Sequence, residues 1–285
     1  MIGAFIESWT LFSDAYAVGW LVAVLLALAG VVVVTRDQVF LGAALSQAST
    51  LGVAVALWAP GALYLDHIEL LEGDAFKSSM AVVFSVFAAL IAEASAERSR
   101  ESRDAILGWV FLIAASLSVL VVSHSPHGLE EIHRLVASSI IGARTADVVV
   151  FAIALAVAAA FAFACRRMLM LFLLDRPMAE AVGMRVGRWS AGLAAGLGLV
   201  VGLSLRATGL LYTFGCLVLP ALAARSLCRE IGPMFTVAPV LAVVTATIGF
   251  ILANGWDYPP AQMIVAVQAL LLLAAWLIRF TRRGA

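Results

Sequence analysis

Long apolar runs separated by short polar stretches dominate the chain. They lie near 16–35, 39–59, 78–95, 105–123, 136–164, 189–206, 208–227, 234–253 and 260–280. A helix crosses the hydrocarbon of a bilayer in roughly 20 predominantly apolar residues, so each run is a candidate span. The fifth run is too long for one simple crossing and carries Gly142, Arg144 and Asp147. That pattern predicts a short re-entrant or interfacial helix before the true span. The expected fold class is all-α: a polytopic transmembrane helical bundle of about nine spans, or eight if one short run is re-entrant. Residues 1–285 are read as a single transmembrane domain.

Composition agrees with the pattern and narrows it. Of 285 residues, 64% are hydrophobic and 13% charged, and the mean hydropathy is +1.05. A soluble domain is about half apolar and about a quarter charged, so an ordinary globular enzyme is excluded. The 18 basic residues balance the 18 acidic ones, which excludes a basic face for nucleic acid. Their distribution is uneven. With the N-terminus outside, only Lys77, Arg134, Arg144 and Arg206 fall outside, and the other fourteen of the 18 fall inside. The positive-inside rule therefore predicts N-outside and C-inside, in an inner or plasma membrane. The first segment lacks the basic start and small-residue cleavage site of a signal peptide, so the first span itself is expected to direct insertion.

Motif spacing excludes further chemistry. No G-x-x-x-x-G-K-[ST] loop, H-E-x-x-H or G-x-S-x-G occurs, so neither P-loop ATP hydrolysis nor those hydrolase mechanisms are expected. The chain is read as no enzyme, with no bound cofactor of its own. Cys165, Cys216 and Cys228 have no C-x-x-C spacing, which indicates neither a disulfide framework nor a structural zinc site. Glu93 is an acid inside an apolar run, placed near the inner end of its span within reach of water or Arg98.

The segment DRPMAEAVGMRVGR at 175–188 is polar and lies on the inner side. Asp175 suits an N-cap, Pro177 a first turn, and Gly183 a left-handed helix end. A short capped helix along the inner face follows, with Arg185 and Arg188 beside it. It reads either as an amphipathic connector or as a coupling helix for a partner.

Four stretches carry a family resemblance. They are Asp175, Ala179 and Gly183 in D-x-x-x-A-x-x-x-G, GLLYTFGCLVLPALAA from Gly209 to Ala224, FLGAALSQASTLGVAVAL from Phe40 to Leu57, and WDYPPAQ from Trp256 to Gln262. Together, in their order along the chain, they resemble the metal-type ABC permeases that take up zinc, manganese or iron. The resemblance implies a cytoplasmic ABC ATPase dimer that holds ATP and Mg, and a second permease subunit, identical or paralogous. It also implies an extracytoplasmic substrate-binding protein, and alternating access in the bilayer. It places Asp175, Pro177, Ala179, Gly183 and Arg185 in the ATPase-coupling segment.

The second span departs from that family at two positions. Members read G-D-A-L-S-H-A where this chain reads Gly42-Ala43-Ala44-Leu45-Ser46-Gln47-Ala48. A carboxylate and an imidazole four apart share a helix face and bind transition metals well, whereas a lone amide is a weak, hard ligand. The intramembrane metal pair is therefore not carried over. Gly42, Ser46, Ser49 and Gly52 form a small-residue stripe, which reads either as a packing seam or as a polar lining. Ser46, Gln47, Ser49, Cys216 and Pro220 are the candidates for a translocation path, with Pro220 a candidate hinge. His67, His124, His127, Glu130 and His133 fall in expected outer loops. Imidazoles and carboxylates suit zinc, manganese or iron, and a solvated loop is the plainer alternative.

The function expected is thus the permease subunit of an ATP-driven importer of divalent transition metals. A permease for another small solute, or the less selective member of a heteromeric pair, keeps the fold and changes the cargo. A secondary transporter or a membrane scaffold remains the alternative from another class.

Overall fold

The computed structural model describes residues 2–62, 73–98, 102–123 and 140–283. All regular structure among them is helical. The helices are α1 (Ile2–Thr35), α2 (Phe40–Ala62), α3 (Asp74–Arg98), α4 (Arg103–Val122), α5 (Thr145–Ala164), α6 (Arg166–Leu174), α7 (Arg176–Ala181), α8 (Val186–Thr208), α9 (Leu210–Leu227), α10 (Ile231–Trp256) and α11 (Pro260–Arg283). Nine of these, all but α6 and α7, are long and apolar enough to cross a membrane. Each expected span holds one of them.

In the fifth run residues 136–139, where a short helix is expected, lie outside the described residues, and Ile140–Gly142 form a 3-10 turn. Asp147 accepts a hydrogen bond from the Arg144 backbone N–H at 2.9 Å, so this carboxylate caps a helix start. One boundary differs from the expectation: at the N-terminus, α1 begins well before residue 16 and breaks at Phe12, whose φ of −118° and ψ of 18° are not helical. Phe5 and Tyr16 would stand about 16 Å apart along a straight helix. Their ring centroids are 4.9 Å apart, so the first turns fold back on the rest of α1. A hydrogen bond of 2.8 Å between the Ser8 and Tyr16 hydroxyls holds that reversal.

The helices gather into two compact units. In the first, α1 lies parallel to α9 and antiparallel to α10. The Tyr212 hydroxyl donates to the Gly19 carbonyl at 2.8 Å, and Gly30 meets the backbone of Leu217. On the other side, the Trp20 indole donates to Thr247 at 3.1 Å, and Asn254 donates to the Tyr16 hydroxyl at 2.6 Å. In hydrocarbon these polar groups have no water to bond, so pairing across helices satisfies them and sets the register.

The second unit holds α2, α3, α4 and α8. Gly52 of α2 packs on the backbone of Met80 and Ala81, so the expected small-residue stripe closes on α3 at that point. The α3–α8 pair is antiparallel and tied at both ends. Arg206 meets Asp74 at 3.0 Å and donates to Ser78 at 2.9 Å. At the far end Ser190 donates to Glu93. Between these ties, Gly198 and Gly202 form a G-x-x-x-G seam, where an added Cβ would stand 2.7 Å from the Cα of Val86 and of Val82.

Gly202→Ala is therefore expected to destabilise the protein by about 1–3 kcal/mol through overpacking. On the same helix, a Cβ at Gly196 meets nothing within 4 Å. Gly196→Ala should be neutral, or stabilising by about 0.5 kcal/mol through unfolded-state entropy. Denaturant midpoints of the two variants in detergent measure the difference; equal midpoints would remove the seam from the account.

Candidate functional site

The segment at 175–188 folds as its residues predict. The Asp175 carboxylate accepts from the Met178 N–H at 3.0 Å, with Pro177 in the first turn of α7. Gly183, at φ +87°, ends the helix: its N–H reaches the Glu180 carbonyl at 2.9 Å, and the Met184 N–H reaches Ala179 at 3.0 Å. A side chain at that φ is strained, and glycine is not. Burial divides the helix in two. Ala179 is fully buried, whereas Met178 is 53% and Val182 61% exposed. Ala179 is thus the seat of α7 on its own unit, and Met178, Val182 and the exposed Arg185 are what it offers outward.

The short helix is anchored through Phe172. This buried ring sits on α6, with the Arg176 guanidinium 5.0 Å and the Arg36 guanidinium 5.5 Å from its centroid. A cation over an aromatic face is worth about 0.5–2 kcal/mol, more when desolvated. Arg36 follows the last residue of α1. That same helix end is held by Arg225 of α9, which donates to the Val34 carbonyl at 2.9 Å and to Asp37 at 2.6 Å. A cation at a helix C-terminus satisfies orphan carbonyls and favours the dipole. A continuous set of contacts therefore runs from α7 through Phe172 and the end of α1 into α9.

The candidate path residues fall in separate places. In the second unit, Ser46 is buried and returns its hydroxyl to the Gly42 carbonyl at 2.8 Å. Ser49 is buried with no hydrogen bond for its hydroxyl among the described residues. Ala43 and Gln47 are half-buried, one turn apart on α2. In the first unit, Cys216 is buried and accepts from the Gln268 amide at 3.3 Å. Pro220 is buried within α9; lacking an N–H, it leaves the Cys216 carbonyl without its usual helical donor. Asp257 takes the left-handed C-cap of α10 at φ 56°.

His67, His124, His127, Glu130 and His133 lie outside the described residues. Among the described residues no three His, Cys, Asp or Glu side chains gather as a metal site.

The sequence profile described as "ABC 3 transport family" matches residues 8–279. The chain belongs to this family. It is 24% identical to the chelated iron transport system membrane protein YfeD of Yersinia pestis, over 85% of this chain and 76% of that one. It is 23% identical to the manganese transport system membrane protein MntC of Listeria monocytogenes, over 87% and 83%. Its fold matches a chain of PsaBC from Streptococcus pneumoniae in complex with Fab, with a TM-score of 0.80 at 19% identity, covering 97% and 95%. The chain is a multi-pass membrane protein of the permease type.

Two features of this ABC 3 family permease escaped the sequence reading. The first is α6, whose RRMLMLFLL lies between two expected spans. Its amphipathic pattern, with Leu169 and Phe172 buried three apart and Arg166, Arg167 and Met168 exposed, was a readable signal. The second is the Glu93 site. Arg103 approaches Glu93 at 3.4 Å, so α3, α4 and α8 meet at one carboxylate. No spacing rule joins Glu93 to Ser190 across 97 residues.

Proposed function

We propose that this chain is the membrane-spanning permease subunit of an ATP-driven importer of divalent transition-metal cations. The observation that carries the reading is the family match over 8–279, with relatives named for manganese and chelated-iron transport. A cytoplasmic ABC ATPase dimer binds ATP with Mg and hydrolyses the ATP; it docks on Met178, Val182 and Arg185 around the frame set by Asp175, Pro177, Ala179 and Gly183. A second permease subunit completes the membrane part, and an extracytoplasmic binding protein delivers the metal. The orientation is N-outside and C-inside, supported by the fourteen basic residues on one side.

In this mechanism the ATPase displaces α7. Phe172 passes the displacement to the end of α1, and Arg225 passes it to α9, where Pro220 lets the helix bend. Ser46, Gln47 and Ser49 are the candidate path residues of α2, and Cys216 that of α9, with Gln47 the only one of the four not buried in this structure. Because Ala43 and Gln47 supply no acid–histidine pair, this chain does not grip the metal at that turn. That absence favours a second reading, in which this subunit pairs with a paralogue that retains the acid and the histidine. The outer residues His67, His124, His127, Glu130 and His133 are the alternative donors on this chain.

The test is reconstitution of the chain with its ATPase, binding protein and any second permease in proteoliposomes. At least one of Mn²⁺, Fe²⁺ and Zn²⁺ is expected to raise ATP turnover about fivefold or more and to accumulate inside. Stimulation by some other solute, with all three metals inert, would overturn the metal assignment. In the same assay, replacing His124, His127 and His133 together by alanine should lower uptake without loss of assembly. Unchanged uptake would remove these residues from the path.

A further inference from the structure

A cleft of about 580 Å³ opens in the first unit where α1, α9, α10 and α11 end together. Arg225, Arg229 and Arg279 line it, with Thr35, Ser226 and Cys228 between them and Glu230 as the carboxylate in its wall. Arg225 is committed to Asp37 and the Val34 carbonyl. Arg229 and Arg279 make no ion pair among the described residues, and Glu230 is the one carboxylate lining the cleft with them. Burial pushes the Cys228 thiol up from its ordinary range, so it stays neutral and adds no negative charge. Glu230, the cap residue of α10, makes no side-chain bond to that helix, and the first turn of α10 opens into the same cleft.

The surroundings separate the possible anions. Arg279 lines the cleft from α11, and the same helix carries exposed apolar side chains, Leu270, Leu273, Trp276, Leu277 and Phe280, within the length that spans a membrane. Leu277 is 67% and Phe280 80% exposed. A free phosphate or an acidic soluble segment uses the guanidinium groups and leaves those apolar side chains uncovered. A molecule with an anionic head and acyl chains uses both. Basic clefts between transmembrane helices at the membrane boundary suit such headgroups.

We propose that this cleft binds the phosphodiester headgroup of an anionic phospholipid, held by Arg229 and Arg279, with its acyl chains along the exposed face of α11. The site is independent of which solute the permease carries.

The experiment uses the purified permease–ATPase complex in detergent, titrated with phosphatidylglycerol, phosphatidylcholine or inorganic phosphate. Bound lipid is read by native mass spectrometry and by the shift in thermal midpoint. Phosphatidylglycerol is expected to bind and raise the midpoint, and the other two are not. Arg229→Gln with Arg279→Gln should weaken phosphatidylglycerol binding by about 30-fold, near fivefold per arginine. The lysine pair Arg229→Lys with Arg279→Lys should keep most of it. Glu230→Gln removes the opposing carboxylate and should tighten it, which keeps the test open if an arginine variant fails to fold. Three results would overturn the proposal: phosphate acting as well as phosphatidylglycerol, the glutamine pair binding lipid as wild type does, or the glutamine pair shedding the ATPase, which would make the face a protein contact.

Discussion

Replacing Met178 and Val182 together by glutamate is expected to strip the ATPase from the permease and abolish ATP-driven uptake. The two side chains, Met178 on α7 and Val182 at its C-cap, stand four apart and are 53% and 61% exposed, while the inward position of the helix, Ala179, is fully buried. Facing out, they do nothing for the fold that water or a lipid headgroup could not replace. As docked anchors, each is worth about 2 kcal/mol, and a carboxylate in the same pocket adds an unpaired buried charge. The combined loss of at least about 4 kcal/mol is roughly a thousandfold in affinity. Co-purification of the ATPase with tagged permease measures the first effect, and uptake in proteoliposomes the second. Met178→Leu with Val182→Ile keeps the apolar surface and should keep the complex. A stoichiometric ATPase on the glutamate variant would move the docking site elsewhere.

Phe172 governs a different step. Phe172→Leu is expected to leave the ATPase bound and turning over while uptake falls by about tenfold or more. Leucine fills much of the buried volume, so the loss of packing stays near 1.5 kcal/mol. It has no π face, so both the Arg36 and the Arg176 contacts are lost at once. The motion of α7 then no longer reaches the end of α1, and hydrolysis proceeds without switching the helices. Phe172→Ala opens a cavity costing about 3–5 kcal/mol and should also lower the unfolding midpoint. Comparing the two separates a role in coupling from a role in folding. ATP turnover and uptake falling in parallel in the leucine variant would mean that the ring only supports α6.

These effects also show how unevenly the sequence speaks. Apolar runs near the length of a membrane crossing located every long helix, because the bilayer forces each span to satisfy its own backbone and hide its own polarity. The α7 motif was equally legible: Asp175, Pro177 and Gly183 act through hydrogen bonds and dihedrals within eight residues, and each does what its chemistry predicts. The G-x-x-x-G of Gly198 and Gly202 was visible in principle, but its partner on α3 was not. Small residues permit close approach without naming what approaches.

By itself, the sequence determined a polytopic helical membrane protein, the helix that offers Met178 and Val182, and a family resemblance from which Ala43 and Gln47 depart. Those properties are local, or follow from lipid acting as a uniform solvent. Only the tertiary structure decided that Ala179 faces inward, that Phe172 stands between Arg36 and Arg176, that Glu93 joins Ser190 and Arg103, and that Arg229 and Arg279 share a cleft. Each brings together residues from different helices, and apolarity along one helix carries no information about which face meets which neighbour. In a membrane that choice rests on close packing and a few buried polar pairs, which exist only once the chain has folded.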